Sequence, residues 1–328
     1  MQRSRLRGPL LLLMAAGLAV LVAACGSSKT NTGASKTAPT SGSSSTATST
    51  PAASKPGAGK PTVTLGDKNF TEEYILGSLY QEALQAKGYH VVLKGNIGSS
   101  ELIYKALTSG QIDGYPEYTG TLDTAIANDT TAFHSAQAAY QAAKSFLQKH
   151  GYTMLNPTPF TDSDAIGTTK KYAAAHHLSS IADLKPLGKS VTMGGLPEFA
   201  TRAQALVGLK KAYGINPTFV PLASGLFYNA LDSGKVDTSD VFTTDPPLRT
   251  GKYVVLTDPK HVFGFQNVAP IIKQSVLSAE GPAFAQTLNA VDALLTQKAI
   301  IALNAAVVLD KQSPSAVAHQ FLAANHLA

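Results

Sequence analysis

Two stretches of this chain, 124 residues apart, repeat each other without a gap. Leu102 to Thr121 reads LIYKALTSGQIDGYPEYTGT, and Leu226 to Asp245 reads LFYNALDSGKVDTSDVFTTD. Leu, Tyr, Ala, Leu, Ser, Gly, Asp and Thr match outright, with Ile112/Val236 and Tyr118/Phe242 as conservative pairs. Each copy reads as a helix, a Ser-Gly stop, a short strand ending at Asp, then a loop carrying an aromatic. A duplicated unit of this kind constrains the body to two similar lobes. Their equivalent loops would bring Tyr118 and Phe242 face to face across a cleft, and clefts between domains are favoured ligand sites. On the pattern alone, packing of each aromatic inside its own lobe stays open.

The flanking sequence supports an α/β body, because short β-like runs alternate with amphipathic helical segments from Pro61 onward. Thr62–Leu65 reads as a strand. Thr71 is placed to cap a helix with Glu72 and Glu73 in its first turn, and Gly88 ends it. His90–Leu93 is the next strand, and a helix follows from Ser99 or Ser100 to Gly110. A second series runs through strand Ser190–Met193 and a helix from Glu198 to Tyr213 closed by Gly214. Leu277 to Leu327 reads as helices of low charge suited to packing on a sheet.

At 328 residues the chain has ample length to bury a core, as one large or two modest domains. Its net charge of +6 is misleading. Residues 1–60 hold seven Lys and Arg and no acid, so residues 61–328 sum to −1. A near-neutral body is not a nucleic-acid surface. A single Cys allows no disulfide within the chain and argues against a cysteine-based zinc site.

That cysteine carries a message of its own. MQRSRLRG is a basic leader, PLLLLMAAGLAVLVAA is an apolar core, and Val22-Ala23-Ala24-Cys25 closes it. This is the plan of a secretory signal, residues 1–24, ending at a lipobox whose thiol is lipidated. An ordinary cleaved signal with Cys next is the plainer alternative. Residues 25–60, rich in Ser, Thr, Ala, Gly and Pro, cannot bury enough surface to fold and read as a flexible tether or a glycosylated stalk. The body would then sit at the extracytoplasmic face of a membrane, held through Cys25.

No phosphate-binding loop, dinucleotide fingerprint or nucleophile elbow is present. His176-His177 is the only histidine cluster, and adjacent helical residues point too far apart to share a metal. Glu72, Glu73 and Asp113 read as cap, first-turn and strand-end residues. No catalytic constellation assembles, so no cofactor or metal is expected and a binding module is favoured over an enzyme.

The runs GDKNFTEEYILGSLY and NIGSSELIYKALTSGQIDGYPEYTGT closely resemble the binding proteins of osmoprotectant ABC importers, which take up glycine betaine, choline, carnitine and proline betaine. Lys68-Asn69-Phe70-Thr71-Glu72 and Pro116-Glu117-Tyr118-Thr119-Gly120-Thr121 are the distinctive parts. Weaker similarity runs through Glu198-Phe199, Arg202, Gly225-Leu226, Ala230-Leu231 and Thr244-Asp245, to about residue 275. The resemblance implies a two-lobed periplasmic-binding-protein type II fold, each lobe a central sheet flanked by helices. Lobe 1 would comprise 61–163 and 267–328, and lobe 2 would comprise 164–266. A permease and an ATPase would be partners, and a monomer is expected.

In that family an aromatic cage surrounds the quaternary ammonium while Lys, Thr and Arg hold the carboxylate. The chemistry suits the task, because a cation without N–H is recognised by π-faces and shape. The carboxylate holders carry over to Lys68, Thr121 and Arg202, and Tyr118 and Phe242 keep two cage aromatics. The ring of the lobe-crossing segment falls on Asp164, and the last falls at Gln266, with Phe263 and Phe265 near. A pocket with Asp164 in it is more polar than a betaine cage. It leaves open a changed specificity, such as ergothioneine or an amino-acid-like cation. A sensor or interaction lipoprotein without transport is the other alternative.

Overall fold

Ten short strands carry the architecture. In the computed structural model, which describes residues 54–328, they are β1 (Thr62–Gly66), β2 (His90–Lys94), β3 (Gly114–Tyr118), β4 (Tyr152–Met154), β5 (Asp164–Thr169), β6 (Thr192–Gly195), β7 (Thr218–Pro221), β8 (Thr238–Phe242), β9 (Tyr253–Leu256) and β10 (Val268–Lys273). They form two five-stranded sheets of the same plan, ordered β2-β1-β3-β10-β4 and β7-β6-β8-β5-β9. This is the expected two-lobed α/β architecture. The sequence repeat is its visible trace, because β3 and β8 occupy equivalent places at the same offset. β3 lies between parallel β1 and antiparallel β10, and β8 lies between parallel β6 and antiparallel β5.

In both repeats the strand starts just after the aspartate instead of ending on it. The reason is a shared hydrogen bond. Asp113 Oδ2 accepts from Thr64 N at 2.9 Å, and Asp237 Oδ2 accepts from Thr192 N at 2.8 Å. Each carboxylate accepts from a backbone N–H of the neighbouring parallel strand. The aromatic consequently sits on the last residue of the strand, where it faces the cleft.

β5 is the first second-sheet strand as the chain leaves the first lobe, and β10 is the strand made on its return. The two crossing segments run side by side, with an antiparallel bridge between Thr161 and Asn267 and a bond from Asp162 N to Gln266 O at 3.1 Å. The helix Thr71–Ala86 buries Ile75, Leu76, Leu79 and Ala83, spaced to line one face of a helix. It packs with Phe284, Leu288 and Leu322 of the C-terminal helices into the larger core.

Several local expectations change. The N-cap of that helix is Phe70, with no side-chain cap, and Thr71 is its first residue. Glu72 and Glu73 lie in the first turn as expected, and both are buried. The strand expected at Ser190–Met193 forms at Thr192–Gly195. The helix expected from Glu198 to Tyr213 is broken: a tight turn spans Pro197–Ala200, and the helix proper is Leu206–Tyr213. A Cβ on Gly208 would lie 2.1 Å from Ala203 O, so only glycine lets the unwound segment fold back there. The tether was expected to run free to Lys60, but its last residues dock. Gly57 N donates to Lys87 O at 3.0 Å and Lys60 Nζ to Ala279 O at 2.7 Å. The signal segment, Cys25 and the rest of the tether lie outside the described residues.

One buried acid gives a stability test. Asp123, in the wide turn Leu122–Ile126, has no hydrogen-bond partner for either carboxylate oxygen among the described residues. Burial, with a smaller push from Asp129, raises its pKa to about 8. A carboxyl raised in the fold stabilises it only while protonated, so this contribution is lost as pH climbs from about 4 towards 8. Asp123→Asn should therefore gain on the wild type between pH 5.5 and 8.5, by some fraction of the ceiling of about 1.4 kcal/mol per pH unit. Urea unfolding at the two pH values checks this, and a difference independent of pH would refute it.

Candidate functional site

The parallel strands of both sheets deliver their C-terminal ends to one place, where ligands of open α/β sheets bind. The loop after β1 carries Lys68, Asn69 and Phe70. β3 ends on Tyr118, with Thr121 one turn later. β5 opens on Asp164, the loop after β6 supplies Glu198 and Arg202, and β8 supplies Asp240 and Phe242. Lys68, Tyr118, Thr121, Asp164, Arg202, Phe242 and Gln266, the residues singled out in the sequence, all line a single cavity. The space open to the centre of a water-sized sphere is about 50 Å³. A single water takes roughly 10–15 Å³ on that measure, so the cavity suits a solute of a few heavy atoms.

Three rings from three segments meet here. Phe70 stacks on Phe242 at 5.6 Å between centroids, 14° from parallel, and lies 6.0 Å from Tyr118. Tyr118 and Phe242 thus approach through Phe70, which the repeat could not indicate. Its signal was present in the KNFTE run, as an aromatic at a strand's C-terminal end. The Tyr118 hydroxyl donates to Glu72 Oε1 at 2.7 Å. Burial first, then the charges of Glu72 and Glu73, push the phenol pKa far above its ordinary value, so it stays a neutral ring.

Lys68 is not a free cation. Its Nζ lies 2.6 Å from Glu117 Oε1, 3.4 Å from Glu73 Oε1 and 3.4 Å from Ser100 Oγ. It also lies 4.4 Å from the centroid of the Tyr118 ring. Tyr115 donates to the other oxygen of Glu117 at 3.2 Å, a supporting role behind the cavity. Arg202 is likewise engaged, gripping Glu101 through Nε at 3.0 Å and Nη2 at 2.9 Å. Burial works to raise the Glu101 pKa, but the hydrogen bonds and charge of Arg202 outweigh it and hold it to about 2. This ion pair joins the two lobes across the cleft rim. Thr121 donates from both N and Oγ1 to Gln266 Oε1, at 3.0 and 3.3 Å.

The acid side of the cavity is richer than the sequence suggested. Asp162, Glu198 and Asp240 line it beside Asp164. Asp240 was detectable, because it lies two residues before Phe242 on one strand and so shares its face. Asp164 and Asp240 are diagonal neighbours on one face of β5 and β8, and both line the cavity. Burial raises the pKa of both. Arg202 draws Asp164 back, while Asp164 raises Asp240 further.

Residues 61–324 match the family model described as the substrate binding domain of ABC-type glycine betaine transport system. The chain is 32% identical over 278 residues to the glycine-betaine-binding protein of Pseudomonas aeruginosa, covering 81% of this chain and 88% of that one. It is 30% identical over 273 residues to the glycine betaine-binding protein YehZ of Escherichia coli, covering 79% and 89%. A crystal structure of a glycine betaine/carnitine/choline ABC transporter shares the fold, with TM-score 0.64 at 24% identity over 82% of this chain and 99% of that one. The family match spans the whole body, and the repeat and cavity lie inside it. The chain belongs to the family of substrate-binding domains of ABC-type glycine betaine transport systems.

Proposed function

We propose that this chain captures a small quaternary-ammonium or zwitterionic osmoprotectant and delivers it to an importer's permease and ATPase, with no chemical step of its own. Its two lobes, 61–163 with 267–328 and 164–266, close on the solute. A lipid on Cys25 holds it at the extracytoplasmic face, with residues 1–24 removed and the tether spanning the gap to the body. The observation that carries this reading is the meeting of Phe70, Tyr118 and Phe242 in a small cavity also lined by carboxyls. Ring faces and carboxyls together attract a cation and offer little to an anion. The names of the relatives point to the same solute class.

Thermal shifts of the purified chain against glycine betaine, choline, carnitine, proline betaine, ergothioneine, arginine and histidine provide the test. A ligand at 100 times its Kd should add about 2.7 kcal/mol of stability and raise the melting temperature visibly. Phe70→Ala and Tyr118→Ala should each weaken binding by roughly 3- to 30-fold, the worth of one cation–π ring. Silence across the panel would sink the proposal.

A further inference from the structure

We infer that Asp240, together with Asp164, is the specificity element of this cavity, and that it selects an ammonium solute bearing a hydrogen-bond donor, N–H or O–H, over a fully methylated betaine without one. The inference rests on the binding role proposed above. Three observations lead to it. Asp240 is 1% exposed and lines the cavity, yet its Oδ1 has no hydrogen-bond partner among the described residues. A buried acceptor left empty is costly, and a ligand donor would fill it. Second, its neighbour in the cavity lining is Asp164, a second carboxyl. Asp164 pairs with Phe242 across β5 and β8, which sets Asp240 diagonally opposite on the same sheet face. Two carboxyls side by side on one face together present acceptor oxygens to whatever enters.

Third, the cations that could reward a ligand carboxylate are already engaged, Lys68 with Glu117 and Glu73, and Arg202 with Glu101. Beside the pair the cavity is lined by the acids Asp162 and Glu198 and by those two engaged cations, so its acids outnumber its bases. A ligand carboxylate brought to Asp240 would be repelled, whereas an N–H or O–H would find a vacant acceptor.

Isothermal titration of the whole purified chain with two matched pairs tests this. The pairs are N,N-dimethylglycine against glycine betaine, and choline against its methyl ether. The donor-bearing member of at least one pair should bind about tenfold tighter, the worth of a hydrogen bond to a charged group. The responding pair identifies the donor as N–H or O–H. Asp240→Leu, which removes the acceptor and is checked for a native melting profile, should close that gap. Equal or tighter binding of the methylated member in both pairs would overturn the inference, as would a gap that survives Asp240→Leu. The wild-type comparison stands even if the variant misfolds. Absence of binding by all four compounds would instead overturn the osmoprotectant reading, and this inference with it.

Discussion

Replacing Lys68 by methionine should destabilise the fold by about 3–5 kcal/mol, because it removes the cation from a buried charge cluster and leaves its acids behind. Lys68 is 2% exposed and Glu73 and Glu117 are fully buried, so no solvent screens the loss. Glu117 would retain its bonds from Tyr115 Oη and Tyr118 N, at 3.2 and 2.7 Å, but Glu73 would lose its nearest positive charge. Glu73 is already poised, since burial lifts its pKa to about 8 even though Lys68 pulls it down. Its folded pKa exceeds the ordinary 4.5, so its contribution is present below that value and lost as pH rises towards 8. The variant should push that window higher, so its deficit should widen as pH rises from about 7 to 9. Urea unfolding across that range measures it, with a melting temperature lower by very roughly 10 °C at neutral pH. A deficit below about 1 kcal/mol would mean that the ion pairs barely offset their own desolvation.

What the sequence revealed and what it hid divide along one physical line. The repeat located β3 and β8, because a helix, a stop and a strand are local patterns written in adjacent residues. Asp113 and Asp237 reinforce them through bonds to the neighbouring parallel strand. The residues of the cavity were legible through the KNFTE and PEYTGT runs and through the aromatic shared by the two repeats. Partners distant in sequence were not legible. Arg202 reads as a free carboxylate binder until Glu101, 101 residues away, is seen to occupy it. Glu72 and Glu73 resemble the solvated acids that open many helices, and only tertiary packing shows them to be buried. The broken helix at Thr201–Ala205 has the same cause. Its residues suit a helix, yet Arg202 lines the cavity and Ala203 packs over Gly208.

The buried Glu72 is the point where removal of one side chain should loosen both the fold and the site. Its Oε1 accepts from Tyr118 Oη at 2.7 Å, and its Oε2 accepts from Thr244 Oγ1 at 2.7 Å and Asn304 Nδ2 at 2.8 Å. Those donors come from the end of β3, from the loop after β8 in the other lobe, and from the C-terminal helix Gln297–Val308. Glu72→Ala would leave the Tyr118 and Thr244 hydroxyls without their acceptor, Asn304 keeping its bond to Thr244 Oγ1 at 3.2 Å, and would leave a void, at a cost of about 3–5 kcal/mol. Glu72→Gln restores one acceptor oxygen in place of two and should cost about 1–2 kcal/mol. Ligand binding, measured well below the melting point of each variant, should weaken by roughly tenfold in Glu72→Ala, because Tyr118 loses the bond that fixes its ring and the lobes lose a tie. Asn304→Ala removes only the C-terminal helix's link, so it should lower stability while leaving affinity nearly intact. If Asn304→Ala weakened binding as much as Glu72→Ala does, the effect on the cavity would be a general loosening of the fold, and the bond from Tyr118 to Glu72 would have no separate part in holding the ring.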